Sequence, residues 1–82
     1  MTGEREIRVQ AYSGYRGQER PVCFWPGEKP VLVKRILRRW YEQETGMGGE
    51  TRCCFEVEGE DGRAYRLCYR PKGAAWFLLG PP

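Results

Sequence analysis

The chain has 82 residues, 40% hydrophobic and 30% charged, with a net charge of +3 from 14 basic and 11 acidic side chains. That length suits one small domain over 1–82 with a modest core, and the composition suits a folded globule rather than a disordered chain. It excludes a helical membrane span, which needs about 18–20 consecutive apolar residues, and a charge this mild does not by itself mark a nucleic-acid binder.

Met1 to Arg8 carries two glutamates and no apolar run, so no secretory signal is expected there. The expected compartment is the cytoplasm. Cys23, Cys53, Cys54 and Cys68 would normally stay reduced there. Glu6 to Tyr12 alternates polar with apolar residues and reads as a half-buried strand with Ile7, Val9 and Ala11 facing in. Ser13 to Pro21 holds two glycines and a proline and reads as a loop. Val22 to Trp25 is a short apolar strand closed by Pro26-Gly27.

Residues 31–44 admit two readings. Val33, Ile36, Leu37 and Trp40 share one face of a helix, whereas Val31 and Val33 alternate as a strand does. Ile36, Arg38 and Trp40 alternate in the opposite phase, and one bulge near Lys34-Arg35 reconciles the two phases. A long bent strand is the preferred reading, with a short helix as the alternative. The run ends in a loop at Gly46, Gly48 and Gly49.

The last third is the clearest. Cys53, Phe55 and Val57 alternate with Cys54, Glu56 and Glu58, and Tyr65, Leu67 and Tyr69 alternate with Arg66, Cys68 and Arg70. A three-residue turn, Glu60-Asp61-Gly62 with Gly62 at positive φ, keeps inward residues opposite inward ones, pairing 57 with 65 and 55 with 67. This register sets Glu56 opposite Arg66 and Cys54 opposite Cys68 on the outward face. Free thiols are expected at Cys54 and Cys68 in a mesophilic cytosol, a disulfide in a hyperthermophile. A final strand, Ala75 to Leu79, completes about five short antiparallel strands. Closing them into a small SH3-like barrel or rolled sheet removes edges that invite pairing with other chains.

The chemistry of a catalytic site is not legible. The chain has no histidine, one serine (Ser13) and one aspartate (Asp61), and that aspartate sits in the predicted turn. Gly14-Tyr15-Arg16-Gly17 lacks the lysine and threonine of a phosphate loop. The cysteine spacings match no zinc pattern, and Cys53 and Cys54 point to opposite faces of a strand. No enzyme activity, cofactor or metal is therefore expected. Two surfaces are candidates for a partner. One is the basic run Lys34, Arg35, Arg38 and Arg39 with Trp40 at its end, the kind of cation-and-ring patch that a sequence-tolerant nucleic-acid binder uses. The other is the loop region Tyr12, Tyr15, Arg16, Glu19 and Arg20, rich in residues that anchor interfaces.

Taken together, the segment from Tyr12 through Pro21, the basic stretch ending at Arg39-Trp40, the Phe55-x-Val57 strand, Asp61-Gly62 with Tyr65 and Leu67, and the late Trp76 resemble a family of small bacterial proteins of unknown function. Some members are similar to proteins encoded near accessory factors of damage-tolerance DNA polymerases. The resemblance carries no catalytic residue, and the cysteines are not part of its pattern. It implies that Gly14 to Pro21 is the distinctive segment and adds weight to a nucleic-acid or repair-complex role. The expected function is a non-enzymatic binding module, a protein-interaction domain first and a weak binder of single-stranded DNA or RNA as the alternative. An uncovered strand edge also leaves homodimerisation open.

Overall fold

The computed structural model describes residues 4–13, 19–43, 51–71 and 73–79, with the backbone alone for Ser13 and Glu19. Six strands follow one another: β1 (Arg5–Ser13), β2 (Glu19–Trp25), β3 (Val31–Gln43), β4 (Thr51–Gly59), β5 (Ala64–Arg70) and β6 (Ala75–Leu79). Each pairs antiparallel with the next, and β6 returns to β1 through Arg5↔Leu78 and Ile7↔Trp76, so the sheet closes into a barrel. The expected small antiparallel barrel is therefore formed, and the segments read as extended, about five by the count above, make up its six strands. No helix occurs among the described residues, which sets aside the helical alternative for 31–44.

The alternation read in the last third governs the core. Phe55, Val57 and Leu67 point inward and are buried with Phe24 and Trp76, while Ile7, Val9, Val31, Val33, Tyr65, Tyr69 and Leu78 pack around them. Phe24 meets Tyr65 edge-on at 4.8 Å, and Trp76 lies 4.9 Å from Tyr69 and 5.8 Å from Phe55. These rings supply much of the apolar area that a chain of this size needs. Burying each fully contributes roughly 1.5–3 kcal/mol before entropy is counted.

The β4–β5 hairpin has the predicted register, Val57↔Tyr65, Glu56↔Arg66, Phe55↔Leu67 and Cys54↔Cys68. Gly62 sits at φ 83°, and its N–H donates to the Gly59 carbonyl at 2.9 Å. Asp61 acts as the turn former: its Oδ1 accepts the Arg63 N–H at 3.0 Å and its Oδ2 accepts the Tyr65 hydroxyl at 2.5 Å.

β3 corrects one detail. Its pairing with β4 slips twice, once between Val33 and Arg35 and again between Ile36 and Arg38, leaving Lys34 and Leu37 unpaired. The first slip lies where a bulge was expected. The second reverses the phase again, so Ile36 shares the inward side with Val57 while Trp40 lies outward opposite Cys54. Ile36 and Trp40, which simple alternation puts on one side, are on two.

The cysteines bring a second correction. Cys54 and Cys68 are joined in a disulfide, with Cα atoms 4.0 Å apart, instead of standing as free thiols. Residues opposed at such close range bring their side chains together. Both are fully buried although they point outward, because the outer row across the sheet reads Trp40, Cys54, Cys68, Phe77. This row is a small second layer of packing on the outside of the barrel. Arg38 lies over the Trp40 ring at 5.1 Å and Arg70 over Phe77 at 4.9 Å. Cys23 and Cys53 remain free, the first buried and the second half-buried against the core.

Candidate interaction surface

Barrel closure is weakest between β2 and β3. Only two residue pairs join them, Cys23↔Leu32 and Phe24↔Val31. Beyond these the strands part, because β2 carries a local irregularity and β3 carries two. The β1–β2 register shifts between Gln10 and Ala11, which leaves Val22 unpaired, and Pro21 has no N–H to give a neighbouring strand. Among the described residues, β3 from Val33 to Gln43 pairs with β4 alone. The result is a cleft of about 350 Å³ lined by Arg20, Pro21, Val22, Val33, Lys34, Arg35 and Ile36. Among the described residues, three cations and no carboxylate line it.

Exposed apolar side chains are concentrated on β3, and Ile36 among them lines the cleft. Leu32, Ile36, Leu37 and Tyr41 of β3 and Tyr12 of β1 are the exposed large hydrophobic residues among those described, with Tyr41 at 63% and Leu37 at 47%. A solvated β3 would place polar side chains at these positions, so the strand carries an apolar surface that the barrel itself does not cover.

The predicted site residues fall into separate groups. Tyr12 and Arg20 are opposite one another in the β1–β2 pair, with the guanidinium 5.4 Å from the ring. Lys34 and Arg35 line the cleft. Lys34 is exposed and has no ion pair among the described residues. Arg35 and Arg38 project outward and are engaged by β4 carboxylates, Arg35 with Glu58 at 2.9 Å and Arg38 with Glu56 at 3.2 Å. Arg39 lies on the other side, donating to the Tyr41 hydroxyl at 2.9 Å and approaching the Phe55 ring at 5.8 Å. The basic run is thus divided between two faces and partly neutralised. It is not one continuous positive stripe. Glu19 is opposite Ser13 in the register, while Tyr15 and Arg16 lie outside the described residues.

Trp40 is tied to a structural network. Its indole N–H donates to Glu42 at 2.9 Å, and Glu42 pairs with Arg52 at 2.9 Å, which also reaches Glu4 at 3.0 Å. The indole hydrogen bond, with Arg52 adding to it, holds the Glu42 carboxyl below the usual carboxylate range. A Glu42 carboxylate oxygen and the sulfurs of Cys54 and Cys68 lie within 4.8 Å of one another, but the disulfide leaves no thiolate for a metal ion.

Sequence reasoning named Arg20, Lys34 and Arg35 as partner-binding candidates, on two separate surfaces, and did not name Pro21, Val22, Val33 and Ile36. Pro21 within the strand was the available signal, since proline is confined to edges and bulges. Val33 and Ile36 read as ordinary core.

Fold and surface together define a small antiparallel β-barrel with one splayed, cationic and apolar corner. No protein-family model, curated protein or solved structure matches the chain. No helix among the described residues is long and apolar enough to cross a membrane.

Proposed function

We propose that the protein is a non-enzymatic protein-interaction module whose partner engages the corner between β2 and β3. The observation that carries this reading is the pairing of β2 and β3 through two residue pairs only, which opens a cleft with apolar walls and a cationic rim. Interfaces of this kind use apolar anchors at the centre and charge at the rim for orientation. The division of Arg35, Arg38 and Arg39 between two faces, with Glu58 and Glu56 beside the first two, favours this reading over phosphate binding.

The test compares the native chain with the double variant Arg20→Glu/Lys34→Glu as bait in affinity capture from the native cell extract. The reading expects a partner that the native chain retains and the variant loses, while the two share the same thermal unfolding. Identical captured sets overturn it. A parallel titration with single-stranded DNA and RNA at about 50 mM salt expects no binding; a complex whose affinity falls steeply with added salt would replace the protein reading with a nucleic-acid one.

A further inference from the structure

Resting on that reading, we infer that the partner contributes an acidic segment in extended conformation, which adds a strand to the free edge of β3. Among the described residues, β3 past Leu32 has a strand partner on one side only, so its other edge offers a row of backbone donors and acceptors from Lys34 towards Gln43. Such an edge is completed by another extended chain, whose backbone supplies both donors and acceptors. A phosphate backbone supplies acceptors alone and would set its charge against the strand's carbonyls.

Side chains at the cleft define the composition of that segment. Val22, Val33 and Ile36 give apolar seats, and Arg20, Lys34 and Arg35 line the same opening, Arg35 while paired with Glu58. In an extended chain successive residues face opposite sides, so a sequence alternating apolar with acidic residues meets both sets. A second copy of this chain is a poor occupant. Pairing two β3 edges would bring Lys34, Arg35, Arg38 and Arg39 of each copy against the same cations of the other, and like charges across a strand pair are destabilising.

The probe is a fluorescein-labelled, C-terminally amidated heptapeptide of alternating glutamate and valine, compared with the same peptide N-methylated at every second amide. The readouts are fluorescence anisotropy for affinity and amide hydrogen exchange for position. The native chain is expected to bind the first peptide with at least about tenfold slower exchange at β3 amides between 34 and 43. It should fail to bind the methylated one, and Lys34→Glu should weaken the complex about tenfold or more. Absence of protection at about 1 mM peptide, protection confined to other strands, or equal binding of the methylated peptide overturns strand addition. So does a concentration-dependent doubling of mass in light scattering accompanied by protection of the β3 amides between 34 and 43 without peptide, which would make a second copy the occupant. The two levels separate cleanly: if the peptide fails while Arg20→Glu/Lys34→Glu still loses its captured partner, the interaction module stands and strand addition falls.

Discussion

At Gly59 the barrel has no room for even one more carbon. The residue is the last of β4 and is buried, and a Cβ there would lie 2.6 Å from Val31 Cγ1, 2.7 Å from Asp61 Oδ1 and 3.3 Å from Tyr65 Cε1. Val31 belongs to the short β2–β3 junction, so relief would have to come from the junction or from the turn. Gly59→Ala is expected to destabilise the fold by about 1–3 kcal/mol, as overpacking does, seen as a lower urea midpoint at unchanged slope. Asp61 next to it is constrained by charge. The Tyr65 hydroxyl first, then the Arg63 N–H, hold its carboxyl below the usual range, and the same contact raises the Tyr65 hydroxyl above its own. Because the Asp61 value is depressed in the folded state, its contribution is complete above about pH 4 and is lost as the pH falls through the folded value. The Tyr65 contribution has the opposite sense: complete below about pH 10, it is lost as the pH rises through the raised value. Asp61→Asn should therefore flatten the acid limb of the stability profile and return Tyr65 towards its ordinary titration, checked by urea melts across pH and by ultraviolet absorbance. A Tyr65 titration unchanged by the substitution would contradict the assignment.

At the scale of elements, the β4–β5 hairpin and β3 differ in how much of each was legible. The hairpin's register followed from side-chain phase and Gly62, because both are local: a wrong turn length would have put Tyr65 opposite Glu58 and inverted every partner beyond it. β3 was legible as an extended segment with a bulge near Lys34, but the slip at Leu37 was not. An apolar residue fits either phase, so nothing in its identity announces that it is skipped, and Trp40 consequently changes sides. The cleft was illegible for a related reason. Alternation along a strand says which face is buried, not which neighbour the strand loses halfway along. The disulfide lay between these cases, since the register brought Cys54 and Cys68 together while compartment argued for thiols. Its loop spans a sequence separation of 14, for which the chain-entropy account gives about 3 kcal/mol. Reduction, or Cys54→Ala with Cys68→Ala, is expected to lower stability by about 2–3 kcal/mol, measured by urea denaturation with and without a dithiol reductant. The hairpin register should survive, because Phe55, Val57 and Leu67 fix it independently on the inward face.

For the whole molecule, ring closure and the open corner make opposing demands. A six-stranded barrel with every strand paired along its length would have no edge to offer, and a partner strand could enter only by breaking an existing ladder. Here the ring is complete through β4, β5, β6 and β1, while β2 and β3 contribute their far ends to no common ladder. Of the five buried cluster residues described, Phe55, Val57, Leu67 and Trp76 come from β4, β5 and β6, and Phe24 of β2 sits at its pair with Val31, inside the joined part of the corner. Strand ends at the corner can therefore open with little loss of buried apolar area, which places them at the low end of the local-stability range. In native-state hydrogen exchange, the amides of β4 and β5, paired on both sides, should be the slowest. Those of β3 from residue 34 to 43 should alternate, with amides aimed at β4 protected and amides aimed at the open edge exchanging faster by at least about a hundredfold, a difference of about 2.7 kcal/mol. Adding denaturant below the unfolding midpoint should leave the fast set unaffected, since exposure at the corner requires no global opening. Uniform protection along β3, equal to that of β5, would mean that the corner is closed in solution and would remove the surface on which the interaction rests.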